Sequence, residues 1–344
     1  MNETHQKILN AIIEKAKKLC PDSLALIGLY GSNATGDVHQ KSDLDLMILI
    51  NDMQGYKLSD TFILDDTDIG YDLYCTTWKM LESDAECPHA YLAKLLDSQI
   101  LYVKENASVS RLMNLRERAK SILSSEKRYE KANASFSRAK QAFADCMLVD
   151  DLSNARTYAS AVITESLNAL MLFYGTYFKK GAKRTFEELS ALNLPFDIKC
   201  LVIDIISSET QKELCSSLEK MLKAVKRLLT APKKKDAPCH KNLAGSYEEI
   251  YSNWRNKMQE ASLNNDLYSS FMNLASFDFM LKDIAENTDI KIPDVMHGFD
   301  PCNLQINVTL FENALAQYEK EYEKAGIEVK HFNDIDDFLA SYLH

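Results

Sequence analysis

The sequence predicts an α+β protein in which a small α/β head is followed by an all-α body. Three observations carry this reading. Apolar runs short enough to be buried strands are confined to residues 1–107. From 108 to 230 the chain holds almost no strand pattern and long stretches of Ala, Leu, Lys, Glu and Arg. Glycine (10) and proline (7) are scarce among 344 residues, which argues against an all-β or loop-rich chain.

Taken in order, Ile8, Ile12, Ile13, Ala16 and Leu19 recur at helical spacing, so residues 4–19 read as an amphipathic helix ended by Pro21-Asp22-Ser23. The run from Leu24 to Tyr30 reads as a buried strand. A turn-rich segment, Gly31 to Asp37, interrupts the pattern. Further strands are expected at 44–50, 69–75 and 99–103. Beyond them, residues 155–178 and 211–229 are the clearest helices, each periodic in apolar positions. A proline- and lysine-rich linker is expected at 230–238, and helices resume over 247–286, 308–324 and 334–343. The domains expected are 1–107 and 108–344, with the linker near 230–240 as the place where the second would divide.

A hydrophobic share of 46% and a charged share of 26% describe a chain able to bury a sizeable core. The net charge of -10 is uneven, with 9 Lys+Arg against 17 Asp+Glu in residues 1–108. An acidic region repels nucleic acid unless cations or a separate basic surface intervene, so a nucleic-acid partner is not expected. It is what a cluster of cation-binding carboxylates would leave behind, although solvated surface acids give the same count. The eight cysteines are scattered without a C-x-x-C pair, and the dyads Cys87-Pro88-His89 and Cys239-His240 have no partner dyads at ligand spacing. The N-terminus lacks the apolar core of a signal peptide, and no stretch reaches the ~20 apolar residues that span a bilayer. A soluble, cytoplasmic protein with reduced cysteines is expected.

The chemistry lies in Tyr30-Gly31-Ser32 and Ser42-Asp43-Leu44-Asp45-Leu46. Along an extended strand, side chains at i and i+2 share a face, so Asp43 and Asp45 project together, about 7 Å apart along the chain. Leu44, Leu46, Ile48 and Ile50 hold the opposite face in the core. Two carboxylates that close repel, and a divalent cation removes the conflict. Hard oxygen donors suit magnesium, which binds through carboxylates, water and substrate phosphates. Gly31 lets backbone approach an anion closely, and the N–H groups and hydroxyl around Ser32 can cradle phosphate oxygens. Asp72 sits inside the apolar pattern of 69–75, where a bare charge is costly unless it is paired or bound to metal. A neighbouring strand would set it across from Asp43 and Asp45.

These residues resemble the signature of the DNA polymerase β-like nucleotidyltransferase superfamily, and especially of its bacterial antibiotic and minimal nucleotidyltransferases. The resemblance implies a small mixed-sheet catalytic domain followed by a helical bundle. It implies that Gly31 and Ser32 hold nucleotide phosphate, that Asp43, Asp45 and Asp72 are catalytic metal ligands, and that two Mg2+ ions and a nucleoside triphosphate, ATP first among them, take part. A helical-domain glutamate serves such enzymes as general base on the acceptor hydroxyl, and Glu165 matches it in an otherwise small and apolar helix. Ala169, one turn on, departs from the lysine that kanamycin nucleotidyltransferase would place there. A partly exposed helix glutamate is the plainer reading of Glu165.

The basic set Lys220, Lys223, Lys226, Arg227, Lys233, Lys234, Lys235 and Lys241 lacks regular aromatic interleaving and reads as a solvated helix end and linker. Tyr247, Tyr251 and Trp254, at helical spacing, read as bundle core rather than as an acceptor pocket. The function expected is transfer of a nucleoside monophosphate, AMP from ATP, to a hydroxyl of a small-molecule acceptor, with release of pyrophosphate. The alternatives are a nucleotidyltransferase acting on protein or a tRNA end, and a non-catalytic nucleotide-binding or antitoxin-like module. Acceptor, nucleotide preference and oligomeric state stay open at this level.

Overall fold

The computed structural model describes residues 2–38, 42–230, 237 and 243–343. It divides into two compact units, Met1–Ala231 and Pro232–His344.

The first unit is built on a four-stranded mixed sheet in the order β5-β2-β1-β6. Its strands are β1 (Leu24–Leu29), β2 (Leu46–Ile50), β5 (Cys75–Thr77) and β6 (Gln99–Val103). β1 runs antiparallel to β2 and β6, while β2 runs parallel to β5. Every residue of β1 and β2 is buried, which is why both read as continuous apolar runs rather than alternating ones. Two clusters cover the faces. Ile27, Leu29, Leu46, Ile48 and Ile50 pack with Leu9, Ile12 and Ala16 of α1 (Glu3–Leu19). Ala25, Leu26, Met47 and Leu49 pack on the other side, into a cluster that continues through the helices.

Those helices are α5 (Asn106–Ser124), α6 (Lys127–Met147), α7 (Leu152–Phe173), α9 (Ile198–Ile206) and α10 (Gln211–Leu229). The shorter α2 (Gly31–Thr35), α3 (Trp78–Asp84), α4 (Ala93–Leu96) and α8 (Thr185–Ser190) lie between the larger elements. α6 and α7 form an antiparallel pair, and α10 packs on both. The fold class is therefore the expected one, a small mixed-sheet domain followed by a mostly helical region.

Two elements differ from expectation in ways that matter for the site. The strand expected at 69–75 breaks at Tyr74 into β4 (Ile69–Leu73) and β5. β4 pairs with β3 (Asp60–Leu64) as a separate ribbon, so the strand beside β2 is β5, not the one that carries Asp72. The helix expected to reach Phe178 stops at Phe173. Gly175 takes φ 68°, its N–H bonds to Leu172 O (2.9 Å), and Thr176 N–H bonds to Met171 O (2.9 Å). This is a Schellman ending, available to glycine at no steric cost.

The second unit is helical, with α11 (Ser246–Ile250), α12 (Asn256–Leu263), α13 (Leu267–Asn287), α14 (Leu304–Lys324) and α15 (Ile335–Tyr342). A π-helical turn, Tyr251–Arg255, joins the first two. Its own core centres on Phe277, Phe311, Tyr318 and Tyr322 and takes in Tyr247, with Trp254 packed against it. Most of the expected linker, including Lys233, Lys234 and Lys235, lies outside the described residues, as do Cys239, His240 and Lys241. Among the described residues, no helix is long and apolar enough to cross a membrane.

A Cβ at Gly175 would lie 2.4 Å from Leu123 O, on a backbone that L-residues rarely adopt. Gly175→Ala is expected to lower unfolding free energy in urea by at least ~1–2 kcal/mol. An unchanged midpoint would show that the turn after α7 is not fixed by this contact.

Candidate active site

Leu44 and Leu46 are buried in the cluster under α1. Asp43 and Asp45, on the alternate positions, are thereby turned to the other side of the chain just ahead of β2. Their backbone is held from the β1 side: Tyr30 N–H donates to Asp45 O (3.1 Å), and Asn33 Nδ2 donates to Asp43 O (2.7 Å). Gly31 has φ 67°, and a Cβ there would stand 1.9 Å from Asp45 Oδ2. Only glycine lets this carboxylate lie against the backbone. The Ser32 backbone N–H also bonds to the Asp45 side chain. α2 is closed by Thr35 Oγ1 donating to Gly31 O (3.1 Å) and by Gly36 in the left-handed region.

Asp43 is exposed and Asp45 half-buried. Burial raises the Asp45 pKa, the Asp43 charge raises it further, and the Ser32 N–H opposes both. The Tyr30 phenol is pushed up to about 12, first by burial and then by Asp45, Asp43 and Asp72. Beneath the site, His5 is buried, and burial lowers its pKa against the opposing pull of Asn33 and Asp43.

These groups open on a cleft of about 480 Å³. Tyr30, Gly31, Ser32, Asp37, Ser42, Asp43 and Asp45 form one side. Tyr91, Lys94 and the segment Phe178-Lys179-Lys180-Gly181, with Lys183, form the other. That second wall follows from the Schellman ending of α7, which releases residues 176–184 as a loop. Glu188 ties the loop down by accepting the backbone N–H groups of Lys179 (2.8 Å) and Lys180 (3.2 Å). Arg184 forks onto Asp37, Nε to Oδ2 at 3.0 Å and Nη2 to Oδ1 at 2.8 Å, and so joins the two walls. Bidentate pairs of this kind fix orientation more firmly than single ion pairs do.

The expected residues therefore meet in part. Gly31, Ser32, Asp43 and Asp45 share the cleft. Asp72 is exposed on β4 and outside the cleft's lining. Its neighbours Tyr71 and Leu73 are buried in the cluster under α1, so Asp72 points away from that core, and its charge reaches Tyr30. Among the described residues, no three His, Cys, Asp or Glu side chains stand close enough to hold one ion together. Glu165 also lies outside the lining. Its Oε2 is 2.9 Å from Arg138 Nη2 without hydrogen-bond alignment, and its charge adds to burial in raising the Tyr91 pKa. Sequence reasoning missed Asp37, Tyr91, Lys94, Phe178 and the loop lysines. The available signal was the basic run Lys179-Lys180-Gly181-Ala182-Lys183-Arg184.

Residues 8–125 match the family model of the nucleotidyltransferase domain. That stretch is a nucleotidyltransferase domain of the polymerase β-like kind, and it makes the chain a nucleotidyltransferase whose substrate includes a nucleotide. Among solved structures, a nucleotidyltransferase-like protein from Exiguobacterium sibiricum 255-15 aligns over 81% of this chain and 91% of its own, at 15% identity and a TM-score of 0.39. No protein of curated function matches the chain at a significant level.

Two outcomes follow from this geometry. Gly31→Ala forces Asp45 off its seat, so nucleotidyl transfer is expected to fall about a hundredfold or more while the circular dichroism spectrum stays native. Full activity in that variant would mean the contact is dispensable. Asp45 keeps its proton to higher pH in the folded state than in the unfolded chain, so between those two pKa values stability falls as pH rises. Above that window its ionised form is a net cost to the metal-free fold. Asp45→Asn is expected to raise Tm in EDTA at pH 7, and a lower Tm would contradict the like-charge conflict.

Proposed function

We propose that the chain transfers a nucleoside monophosphate, AMP from ATP, to a hydroxyl of a small-molecule acceptor and releases pyrophosphate. One observation carries the proposal: a half-buried carboxylate, Asp45, is held against Gly31 beside Asp43, and both face a cleft ringed by lysines. A repelling carboxylate pair with one member desolvated is a poor arrangement for a resting protein. It is a good one for a hard divalent cation.

The donor set fits magnesium. Asp43 and Asp45 would hold it, with two ions as the working number, and it would polarise the transferred phosphate and stabilise the attacking and leaving oxygens. In the transfer, the acceptor oxygen bonds to the α-phosphorus, the bond from that phosphorus to the bridging oxygen breaks, and pyrophosphate departs with the electron pair. Gly31 and Ser32 line the side of the cleft where phosphate would sit. Lys94, Lys179, Lys180 and Lys183 are placed to neutralise the charge building on pyrophosphate.

Asp72 keeps the part of third acid, supported by its orientation away from the α1-side core and by the reach of its charge to Tyr30. Glu165, beside Tyr91, keeps the part of general base that accepts the acceptor's proton. The catalytic elements fall in residues 1–107, and the loop after α7 adds most of the second wall. The described cysteines are all free, which supports a cytoplasmic setting.

With ATP, magnesium and a panel of hydroxyl acceptors, the wild type is expected to release pyrophosphate. Asp43→Asn and Asp45→Asn should each lose at least about a hundredfold in rate. Lys179→Ala should raise KM for ATP several-fold with a smaller change in kcat. Undiminished turnover in both aspartate variants would overturn the assignment. Strong stimulation by RNA or by a protein acceptor would move the acceptor to those classes.

A further inference from the structure

The lysine-bearing wall of the cleft also carries an aromatic face that the reaction proposed above does not use. Tyr91 is 52% exposed, whereas Phe178 behind it is 4% exposed. The two rings stack with centroids 5.2 Å apart and planes 26° from parallel. One face of Tyr91 is thus covered by Phe178, and the residue lines the same cleft as Asp43, Asp45 and the loop lysines.

The segment carrying this ring is fixed far more firmly than a surface tyrosine needs. Cys87, buried and at φ 51° although not glycine, turns the chain into residues 88–91. Arg138 Nη2 donates to Pro88 O (2.7 Å). Ala90 N–H donates to Oδ1 of Asn168 (3.0 Å), a side chain that is 2% exposed, and Ala90 O accepts Phe178 N–H (2.8 Å). Tyr91 N–H donates to His89 Nδ1 (3.3 Å). Helices α6 and α7 and the loop after α7 all hold one four-residue strap, and the strap presents an aromatic face to the cleft. A pre-ordered ring loses little entropy when something stacks on it.

We propose that Tyr91 is the stacking platform for the base of the nucleotide. This deepens the nucleotidyltransferase reading and rests on it. The base is the one planar aromatic group that such a substrate always brings, and Lys94 and Lys179 line the same cleft, where the attached phosphates need cations. Because every base has a π face, stacking of this kind tolerates a change of base.

The test is calorimetric titration of the full chain, with magnesium, using two probes: α,β-methylene-ATP and inorganic tripolyphosphate. Tyr91→Ala and Tyr91→Leu are expected to weaken the nucleotide roughly 5- to 150-fold, the range for one stacked base. Both should bind tripolyphosphate within about twofold of wild type, and Tyr91→Phe, which keeps the ring, should rescue nucleotide affinity. Tyr91→Leu still covers Phe178, so it separates loss of the aromatic face from loss of packing. Unchanged nucleotide affinity in Tyr91→Leu overturns the proposal. So does an equal loss for both probes in that variant. If the wild type itself binds no nucleotide, the reading of the site falls instead.

Discussion

The contact between the Asp45 carboxylate and the backbone of Gly31 is the constraint on which the rest of the site depends. It requires a residue without Cβ, in the left-handed region, directly after a buried strand. It also requires that Asp45 itself be immobile, which the Tyr30 N–H and the first buried residues of β2 provide. The arrangement desolvates one carboxylate next to another, and nothing within the pair offsets that cost. The stability comes from elsewhere. β1 and β2 are apolar on both faces, and the clusters on either side bury them completely. A sheet solvated on one side would have less to spend on a strained edge.

The same sheet decides which way the carboxylates point. Leu44 and Leu46 enter the cluster under α1, so alternation alone sends Asp43 and Asp45 toward the side where Met47 and Leu49 meet the helices. The opposite wall then has to come from those helices. It does so because α7 ends early at Gly175, and because Glu188 and the Arg184–Asp37 fork set the released loop. Neither wall is a site alone. The acids and the glycine–serine turn come from the head, and the aromatic strap is pinned by Asn168 and Arg138 of the helical body.

Patterns that act within a few residues were legible in the sequence. The glycine–serine turn and the D-x-D pair stand in one cleft, α10 runs over the residues its apolar period marks, and β6 likewise. What escaped depends on contacts between distant positions. The apolar pattern predicts one strand over 69–75, whereas a break at Tyr74 puts Asp72 on a ribbon outside the main sheet. The apolar period predicts one helix over 155–178, whereas the helix ends at Phe173 and Phe178 packs into the core from the loop beyond Gly175. Tyr91 carries no local signal for its place in the cleft, since its ring stacks on Phe178 and the residues beside it are held by Arg138 and Asn168, each remote in the chain.

Charge is the instructive case. Counted along the chain, the first third is acidic, and an acidic surface should repel a polyphosphate. Counted in space, the acids that face the cleft meet lysines that mostly come from beyond residue 108, since Lys179, Lys180 and Lys183 follow α7 and only Lys94 belongs to the head. Some of these cations are already partnered: Lys180 pairs with Glu187 at 2.6 Å, and Arg184 with Asp37. The cleft thus holds a carboxylate pair suited to a cation and a basic rim suited to an anion, supplied largely by different stretches of sequence. A nucleotide arriving with its metal satisfies both at once. Neither the metal alone nor the phosphate alone would, and that coupling is what a folded pair of walls adds to a motif that is otherwise only thirteen to fifteen residues long.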